Sequence, residues 1–335
     1  MDLKKILKRH LGVPSPLNWS YPLMISSLGA LFVFGIRYLF FRYVNIFSPT
    51  SPVGNAVFTV LLVIFALLMP VALFASGNTK AITGKYTGIG VIFLSLISGI
   101  PLMLINTAFH NLISYFWLRL SGNMVFPAYF SYSGNTGDIP LRIFTEITGF
   151  LIPAIGICIF FFGLIWSRIR KDDRNLAYIT LTAVFCIFEL DLIDIVGLAV
   201  IGFWLCFLRS KTENIFCPLV ALIGMKLTEI FFGSILQSVD ITSIITYSDI
   251  SSSYFYASVP AIFVAIILLA FFRRVLNEFN YTFNQDLYGE DGVDEEMLEH
   301  DRSLPVYAAG LNTALIISGV IFIFLWVMVF NGLQF

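Results

Sequence analysis

Long apolar stretches alternate with short polar ones along almost the whole chain. A run of about 20 apolar residues is long enough to cross a hydrocarbon core of about 30 Å as an α-helix. None of the runs has the strict apolar and polar alternation of a membrane β-strand. The pattern therefore predicts an all-α, polytopic bundle of about nine transmembrane spans, at 21–44, 54–75, 88–110, 141–167, 176–190, 192–208, 215–236, 257–273 and 309–331.

The fifth and sixth predicted spans leave one question open. Each is short, and only the stretch from Asp191 to Asp194 separates them. They form either two full crossings or one tight helical hairpin.

Composition identifies lipid as the solvent. Hydrophobic residues make up 58% of the chain and charged residues 12%, whereas soluble proteins carry about 25% charged residues. A net charge of −1 gives no reason to expect nucleic acid, because a phosphate binder needs a concentrated basic face. We therefore expect the lipid bilayer, and no nucleic acid, among the partners.

The positions of lysine and arginine predict how the chain is oriented in the membrane. By the positive-inside rule, loops rich in these residues stay in the cytoplasm. With nine spans, all the basic clusters fall on one side, so we expect the N-terminus inside, Phe335 outside and the cell membrane of a prokaryote as the location. The clusters are Lys4, Lys5, Lys8 and Arg9; Lys80 and Lys85; Arg168, Arg170, Lys171 and Arg174; Arg209 and Lys211; and Arg273 and Arg274.

This orientation divides the chain into four parts. Residues 1–20 form a cytoplasmic N-terminal segment, 21–273 the transmembrane bundle, 274–305 an acidic cytoplasmic segment and 306–335 the final transmembrane helix. The first part of the acidic segment, from Arg273 to Leu287, has apolar residues at four-residue spacing, which predicts a short helix lying on the membrane surface. Its acidic remainder is interpreted as a solvated tether, or alternatively as a docking site for a basic partner.

One extended pattern crosses the middle of the chain. A hydrophobic segment ends in FCIFE at Phe185–Glu189, a second ends in the polar turn LRSKTEN at Leu208–Asn214, and a third opens with Cys217-Pro218 and runs to Lys226. This order resembles the CPBP family of integral-membrane CaaX-processing and bacteriocin-processing proteases, in which an Arg-Thr-Gly-Ser loop followed by Pro-Ile-Leu-Ala-His joins two helices. The resemblance implies a CPBP-like core at about 141–236.

The catalytic residues of the family are missing from this sequence. Family members carry Glu-Glu-x-x-x-Arg, Phe-x-x-x-His and His-x-x-x-Asn or Asp, so that a carboxylate activates water and imidazoles position it. The matching positions here are Ile157, Cys158, Phe162, Phe185, Glu189, Leu222 and Lys226. Only the phenylalanine is kept, and glutamate replaces the first histidine. The resemblance therefore implies the family's fold without its catalytic mechanism.

Charged residues within the predicted spans are the other candidates for function. Lys226 falls near the middle of the seventh span, and Glu229 lies three residues further on the same helical face, where the two can pair. The simpler interpretation is a structural ion pair. The alternative is a polar cavity in which Lys226 and Glu229, with Glu189 or Glu146, bind a substrate head group or a proton.

Two further polar groups have alternative interpretations. Glu189, Asp191 and Asp194 cluster at the outer ends of the fifth and sixth spans, as a solvated turn or as a cation site. His110 ends the predicted third span beside aromatic residues and is interpreted as part of an aromatic belt. The three histidines lie far apart, so no histidine metal site and no cofactor are expected. The four cysteines are expected to be buried small hydrophobes.

These observations lead to three functional hypotheses. The first is a non-catalytic protein that binds or presents a membrane protein, peptide or lipid as a scaffold subunit of a membrane assembly. The second is a membrane peptidase with a rearranged site built from Glu189, Lys226 and Glu229. The third is a transporter that uses the Lys226 and Glu229 pair.

Overall fold

Nine long helical stretches make up most of the described chain. The computed structural model describes residues 19–40, 52–75, 82–85, 87–122, 139–169, 174–233, 236–239, 251–288 and 313–330. These parts contain no β-strand, only an isolated bridge between Gly84 and Asn214. The helices are α1 (Ser20–Leu39), α2 (Pro52–Leu62, Val63–Leu68 and Met69–Phe74), α3 (Ile89–Ile97 and Gly99–Ser121), α4 (Ile139–Glu146, Ile147–Leu151, Ile152–Ile157, Cys158–Ile165 and Trp166–Arg168), α5 (Arg174–Glu189), α6 (Ile195–Thr212), α7 (Phe216–Phe232), α8 (Ser252–Tyr288) and α9 (Thr313–Phe330).

The helices are those of a multi-pass integral membrane protein. Seven of them within the described parts are long and apolar enough to cross a bilayer, and only α5 and α7 are shorter. Their outward-facing side chains are apolar, as at Phe263 and Ile267 of α8, which are 65% and 67% exposed. Such a surface is stable against lipid but not against water. The prediction of an all-α, polytopic bundle is confirmed.

Three details of the predicted spans change. The stretch 176–208 forms two helices, α5 and α6, because the chain turns at residues 190–194, where Leu190 has a positive φ. Helix α3 does not end at His110 but continues to Ser121. Helix α8 runs unbroken through Arg273 to Tyr288, so the prediction of a separate surface helix was wrong. The acidic run 289–301 and the N-terminal segment up to residue 18 lie outside the described residues.

Helices α2 and α4 each contain widened, π-helical segments. Two of them, Val63–Leu68 and Ile147–Leu151, directly precede Pro70 and Pro153. A proline ring clashes with the carbonyl four residues earlier and offers no N–H to it, and in both helices that carbonyl lies inside the widened segment. The π geometry relieves this clash. The third segment, Cys158–Ile165, has no such proline.

Aromatic side chains from α4 and α5 fill the centre of the bundle. Phe160, Phe161 and Phe162 are fully buried. The Phe161 ring packs edge-to-face on Phe160 at 4.9 Å between centroids, on Phe188 at 5.3 Å and on Phe185 at 5.8 Å. Edge-to-face geometry is the favourable arrangement of aromatic quadrupoles. These residues belong to the main hydrophobic core.

Contacts gather the helix ends into two groups. At one end of the bundle, Arg168 of α4 donates to the Phe74 carbonyl that ends α2, and Arg209 of α6 donates to Ile82. The opposite end has three contacts between helices and turns: Arg37 over the Phe58 ring, His110 with Asp194, and Trp326 with the Ile187 carbonyl. We call these the Arg209 end and the His110 end.

Glycines bring α3 and α7 into backbone contact. Helix α3 is interrupted at Ser98, whose hydroxyl accepts a hydrogen bond from Trp204 Nε1 at 3.1 Å. A Cβ atom at Gly99 would fall on the backbone of Gly224 and Met225, and one at Gly224 would fall on the Leu96 carbonyl. Small residues allow such close approach of membrane helices.

We predict that Gly224→Ala destabilises the protein. The added methyl overlaps the α3 backbone, and overpacking of this kind typically costs about 1–3 kcal/mol. Gly35→Ala is the matched control, because a Cβ at Gly35 has no atom within 4 Å and alanine favours the helix over glycine. Thermal unfolding in detergent should show a lower Tm for Gly224→Ala alone. Equal Tm values would contradict the close contact.

Candidate functional site

Arg209, from the polar passage that resembles the CPBP loop, is a buried structural residue. Its side chain is 4% exposed. Nε donates to the Phe162 carbonyl at 2.8 Å, and a terminal guanidinium nitrogen donates to the Ile82 carbonyl at 3.1 Å. Phe162 lies in the π-helical segment Cys158–Ile165. Arg209 therefore ties α6 to α4 and to the 82–85 segment.

The turn between α6 and α7 packs on the same segment through backbone hydrogen bonds. Lys85 N donates to the Glu213 carbonyl at 3.0 Å, and Ile215 N donates to Thr83 O at 3.1 Å. The Asn214 side chain donates to the Lys85 carbonyl at 2.7 Å. These bonds satisfy backbone groups that no helix pairs, so the passage from Arg209 to Pro218 forms a joint between elements.

Four of the positions that the resemblance aligns with the family's motifs are apolar core residues. Cys158, Phe162, Phe185 and Leu222 are all buried members of the main core. The rings of Phe162 and Phe185 lie 6.3 Å apart, and Ile157 packs against the edge of this core. None of these side chains carries a group that can activate water near neutral pH.

Glu189 and Lys226, the remaining two positions, lie outside this core and apart from each other. Glu189 ends α5, and its Oε1 atom is buried without a hydrogen-bond partner among the described residues. Lys226 belongs to α7, which packs chiefly on α3, α4 and α6, whereas α5 packs on α6 and α4.

Lys226 lies between two carboxylates. Its ammonium is 3.2 Å from Glu229 and 3.4 Å from Glu146, and it lies 5.9 Å from the centre of the Phe150 ring. The predicted pair of Lys226 and Glu229 is therefore present, and Glu146 joins it. Glu189 is not among the ion-pair partners of Lys226.

Sequence reasoning missed a second polar group around His110. Nδ1 of His110 lies 2.7 Å from the Asp194 carboxylate, and Nε2 lies 3.0 Å from the Val239 carbonyl. Both ring nitrogens face acceptors, so only a doubly protonated ring donates to both. His110 is therefore not an aromatic-belt residue: it links α3 to the α5–α6 turn and to the segment after α7.

The residue after His110 strengthens this link. Asn111 donates to the Gln237 carbonyl at 2.9 Å and accepts from Val239 N at 2.8 Å. The 236–239 segment is thus attached to α3 by three hydrogen bonds from two adjacent side chains.

The acidic α5–α6 turn is folded against α3 rather than fully solvated. Asp191 accepts hydrogen bonds from the backbone N–H groups of Ile193 and Asp194, at 3.0 and 3.1 Å. Burial, with the neighbouring Asp194 carboxylate, raises the pKa of Asp191 above its ordinary value. Asp194 itself is 22% exposed.

Cysteine, histidine and carboxylate side chains do not form a metal centre in the described parts of the chain. No group of three or more of them there has suitable geometry. All four cysteines are buried and unpaired, as predicted. Comparison with known proteins adds no relative: no protein-family model, no curated protein and no solved structure matches this chain.

We predict that Arg209→Leu destabilises the bundle. The substitution removes the donors to the Phe162 and Ile82 carbonyls, and each unsatisfied buried group costs about 1–3 kcal/mol. Arg274→Leu is the matched control, because the Arg274 side chain is 83% exposed and its ion-pair partner among the described residues, Glu278, lies on the same helix. Thermal unfolding in detergent should show a large loss of Tm for Arg209→Leu and a small one for Arg274→Leu. Similar losses would argue against a structural role for Arg209.

Proposed function

We propose that this membrane protein has a CPBP-like core that does not hydrolyse peptides and acts as a binding or scaffold subunit of a membrane assembly. The binding partner in this proposal is a membrane-embedded protein, peptide or lipid. The acidic segment at 289–301 offers a further docking site for a basic partner.

The burial of the family-matching positions supports the proposal most directly. Hydrolysis within a membrane requires a carboxylate or imidazole beside a water. The side chains of Cys158, Phe162 and Leu222 occupy the corresponding positions, and all three are packed in the apolar core. A protein with this centre keeps helices that can hold a partner but lacks the groups that would cleave one.

The rearranged peptidase is less well supported. It needs Glu189, Lys226 and Glu229 to act on one substrate bond, and groups that act together must lie within hydrogen-bond reach of the reacting atoms. The ion-pair partners of Lys226 are Glu146 and Glu229, while Glu189 belongs to the His110 end of α5.

A transporter is the second candidate function, favoured by the charges at Lys226. The Lys226 ammonium has two carboxylates within 3.4 Å, so the group of three has a formal net negative charge. The Glu229 side chain is 49% exposed. Intramembrane groups of this kind often bind protons or solutes. Flux that Lys226→Ala removes would support this candidate.

The proposal includes nine membrane crossings in the cell membrane of a prokaryote, with the Arg209 end in the cytoplasm. Support comes from the alternation of helix ends: α2, α4 and α6 end, and α7 begins, at the Arg209 end. The basic residues Lys85, Arg168 and Arg209 lie at that end as well, as the positive-inside rule requires of a cytoplasmic face.

We predict that the purified protein in liposomes leaves a fluorogenic transmembrane peptide intact. The expected rate equals that of empty liposomes, because the core offers no group to activate water. Glu189→Gln is the matched variant and should behave identically. Cleavage by the wild type that Glu189→Gln abolishes would contradict the proposal and support the peptidase.

Binding is tested by native purification of the double variant Lys226→Met and Glu229→Gln. The scaffold interpretation expects a stable protein that retains the partners of the wild type in the same stoichiometry. If neither form carries a stoichiometric partner from native membranes, the scaffold interpretation fails.

A further inference from the structure

A polar stripe runs along one face of α3. Asn106, His110, Ser114 and Trp117 follow one another at spacings of four, four and three residues, which places them on one side of a helix. At about 1.5 Å per residue the stripe is about 16 Å long, roughly half of a 30 Å hydrocarbon core. It starts near the His110 end and reaches towards the middle of the bundle.

Three polar atoms of the stripe are buried without internal hydrogen bonds, although only Ser114 is buried as a whole residue. Three of its polar atoms, Asn106 Oδ1, Ser114 Oγ and Trp117 Nε1, have no hydrogen-bond partner among the described residues. Ser114 is fully buried. Buried polar groups are almost always hydrogen-bonded, and each exception needs an explanation, of which a bound water or ion is one. Because the three unpaired atoms lie on one face of α3, we treat them as one site.

The inner half of the stripe, at Asn106 and His110, faces the acidic turn between α5 and α6. A Cβ atom at Gly197, in the first turn of α6, would fall on Asn106 Oδ1. One helical turn further along α3, His110 contacts Asp194 at 2.7 Å. Glu189, beside this turn, contributes a fourth unpartnered atom, Oε1.

The titratable groups around the stripe can be named for each neighbouring element. The α5–α6 turn contributes Glu189, Asp191 and Asp194, and the 236–239 segment contributes none. Helix α7, which also packs on α3, carries Lys226 and Glu229, which pair with each other and with Glu146. At the outer edge, α8 brings Tyr254 beside Tyr115. The His110 ring therefore faces the Asp194 carboxylate and lies near that of Asp191, an arrangement that favours cations and excludes anions.

We propose that this stripe is a hydrated proton-binding site, open to the aqueous phase at the His110 end. Ordered water hydrogen-bonds to Asn106, Ser114 and Trp117, as buried water does with otherwise unsatisfied polar groups. Protons exchange between that water, the His110 imidazolium and the carboxylates of the α5–α6 turn. The His, Cys, Asp and Glu side chains in the described parts form no group of three that could hold a metal ion, so the proposed ligand is a proton.

Cysteine accessibility tests the hydration. Ser114→Cys replaces a hydroxyl with a thiol of similar size. Ala108→Cys is the control, because Ala108 is fully buried on the opposite face of α3. Ala108 lies about 9 Å from Ser114 along the helix but about 3 Å from Asn106, so Asn106→Cys is the variant matched to it in depth. The protein is reconstituted in vesicles and treated with a charged, membrane-impermeant methanethiosulfonate from either side. The native cysteines are all buried, and the wild-type rate is subtracted.

We expect Ser114→Cys to react at least about tenfold faster than Ala108→Cys, a difference of about 1.4 kcal/mol in the free energy of exposure. The reaction should occur only with reagent on the side of the His110 end. Equal rates for the two variants, whether both slow or both fast, would overturn the proposal. Asn106→Cys should react at an intermediate rate.

Proton exchange is tested on the wild-type protein labelled with ¹⁵N-histidine. The chain has three histidines, and His110→Gln assigns the signal of interest. A doubly protonated His110 ring whose N–H protons exchange with bulk water is the expected result, with Asp194→Asn shifting the ring towards its neutral form. A ring whose N–H protons do not exchange with water would show a dry structural ion pair and overturn the proposal.

Discussion

The contact between Arg209 and the π-helical segment of α4 is the constraint on which the rest of the bundle depends. Within a bilayer every backbone polar group must be satisfied inside the protein, and the widened helix at Cys158–Ile165 presents the Phe162 carbonyl to a neighbour. The guanidinium also reaches the Ile82 carbonyl. Burying the charged guanidinium costs free energy unless it is hydrogen-bonded, and the carbonyl groups offset that cost. Helices α4 and α6 and the 82–85 segment are therefore fixed relative to one another.

In this arrangement the apolar and the polar side chains occupy different parts of the bundle. Aromatic side chains fill the middle of the bundle, and the charged pairs lie towards its ends. Lys226 with its two carboxylates and His110 with Asp194 are both tied to helices that Gly99 and Gly224 hold in backbone contact. Binding at such sites needs no hydrolytic centre, which is consistent with a protein that recognises membrane partners and exchanges protons without cleaving peptides.

The positions of the helices could be predicted from the sequence, but the contacts between the helices could not. The lengths of the apolar runs predicted the nine helical stretches of the described chain, because a helix that crosses a bilayer needs about 20 apolar residues. It misjudged where α3 ends, since His110 and Asn111 were interpreted as the polar edge of a span when tertiary contacts bury them. Lys226 and Glu229 are neighbours on one helix and were paired correctly. Asp194 is 84 residues from His110 and Phe162 is 47 from Arg209, so no local pattern could indicate those contacts. The four-residue spacing of Asn106, His110 and Ser114 was the available signal.

A density map of the protein in lipid nanodiscs, at a resolution that shows side chains and water, tests the central claim most directly. The account predicts the Arg209 guanidinium against the Phe162 carbonyl, with Cys158, Phe185 and Leu222 packed together and no water between them. A water-filled hollow bounded by Cys158 and Leu222, with Arg209 turned away from α4, would contradict it.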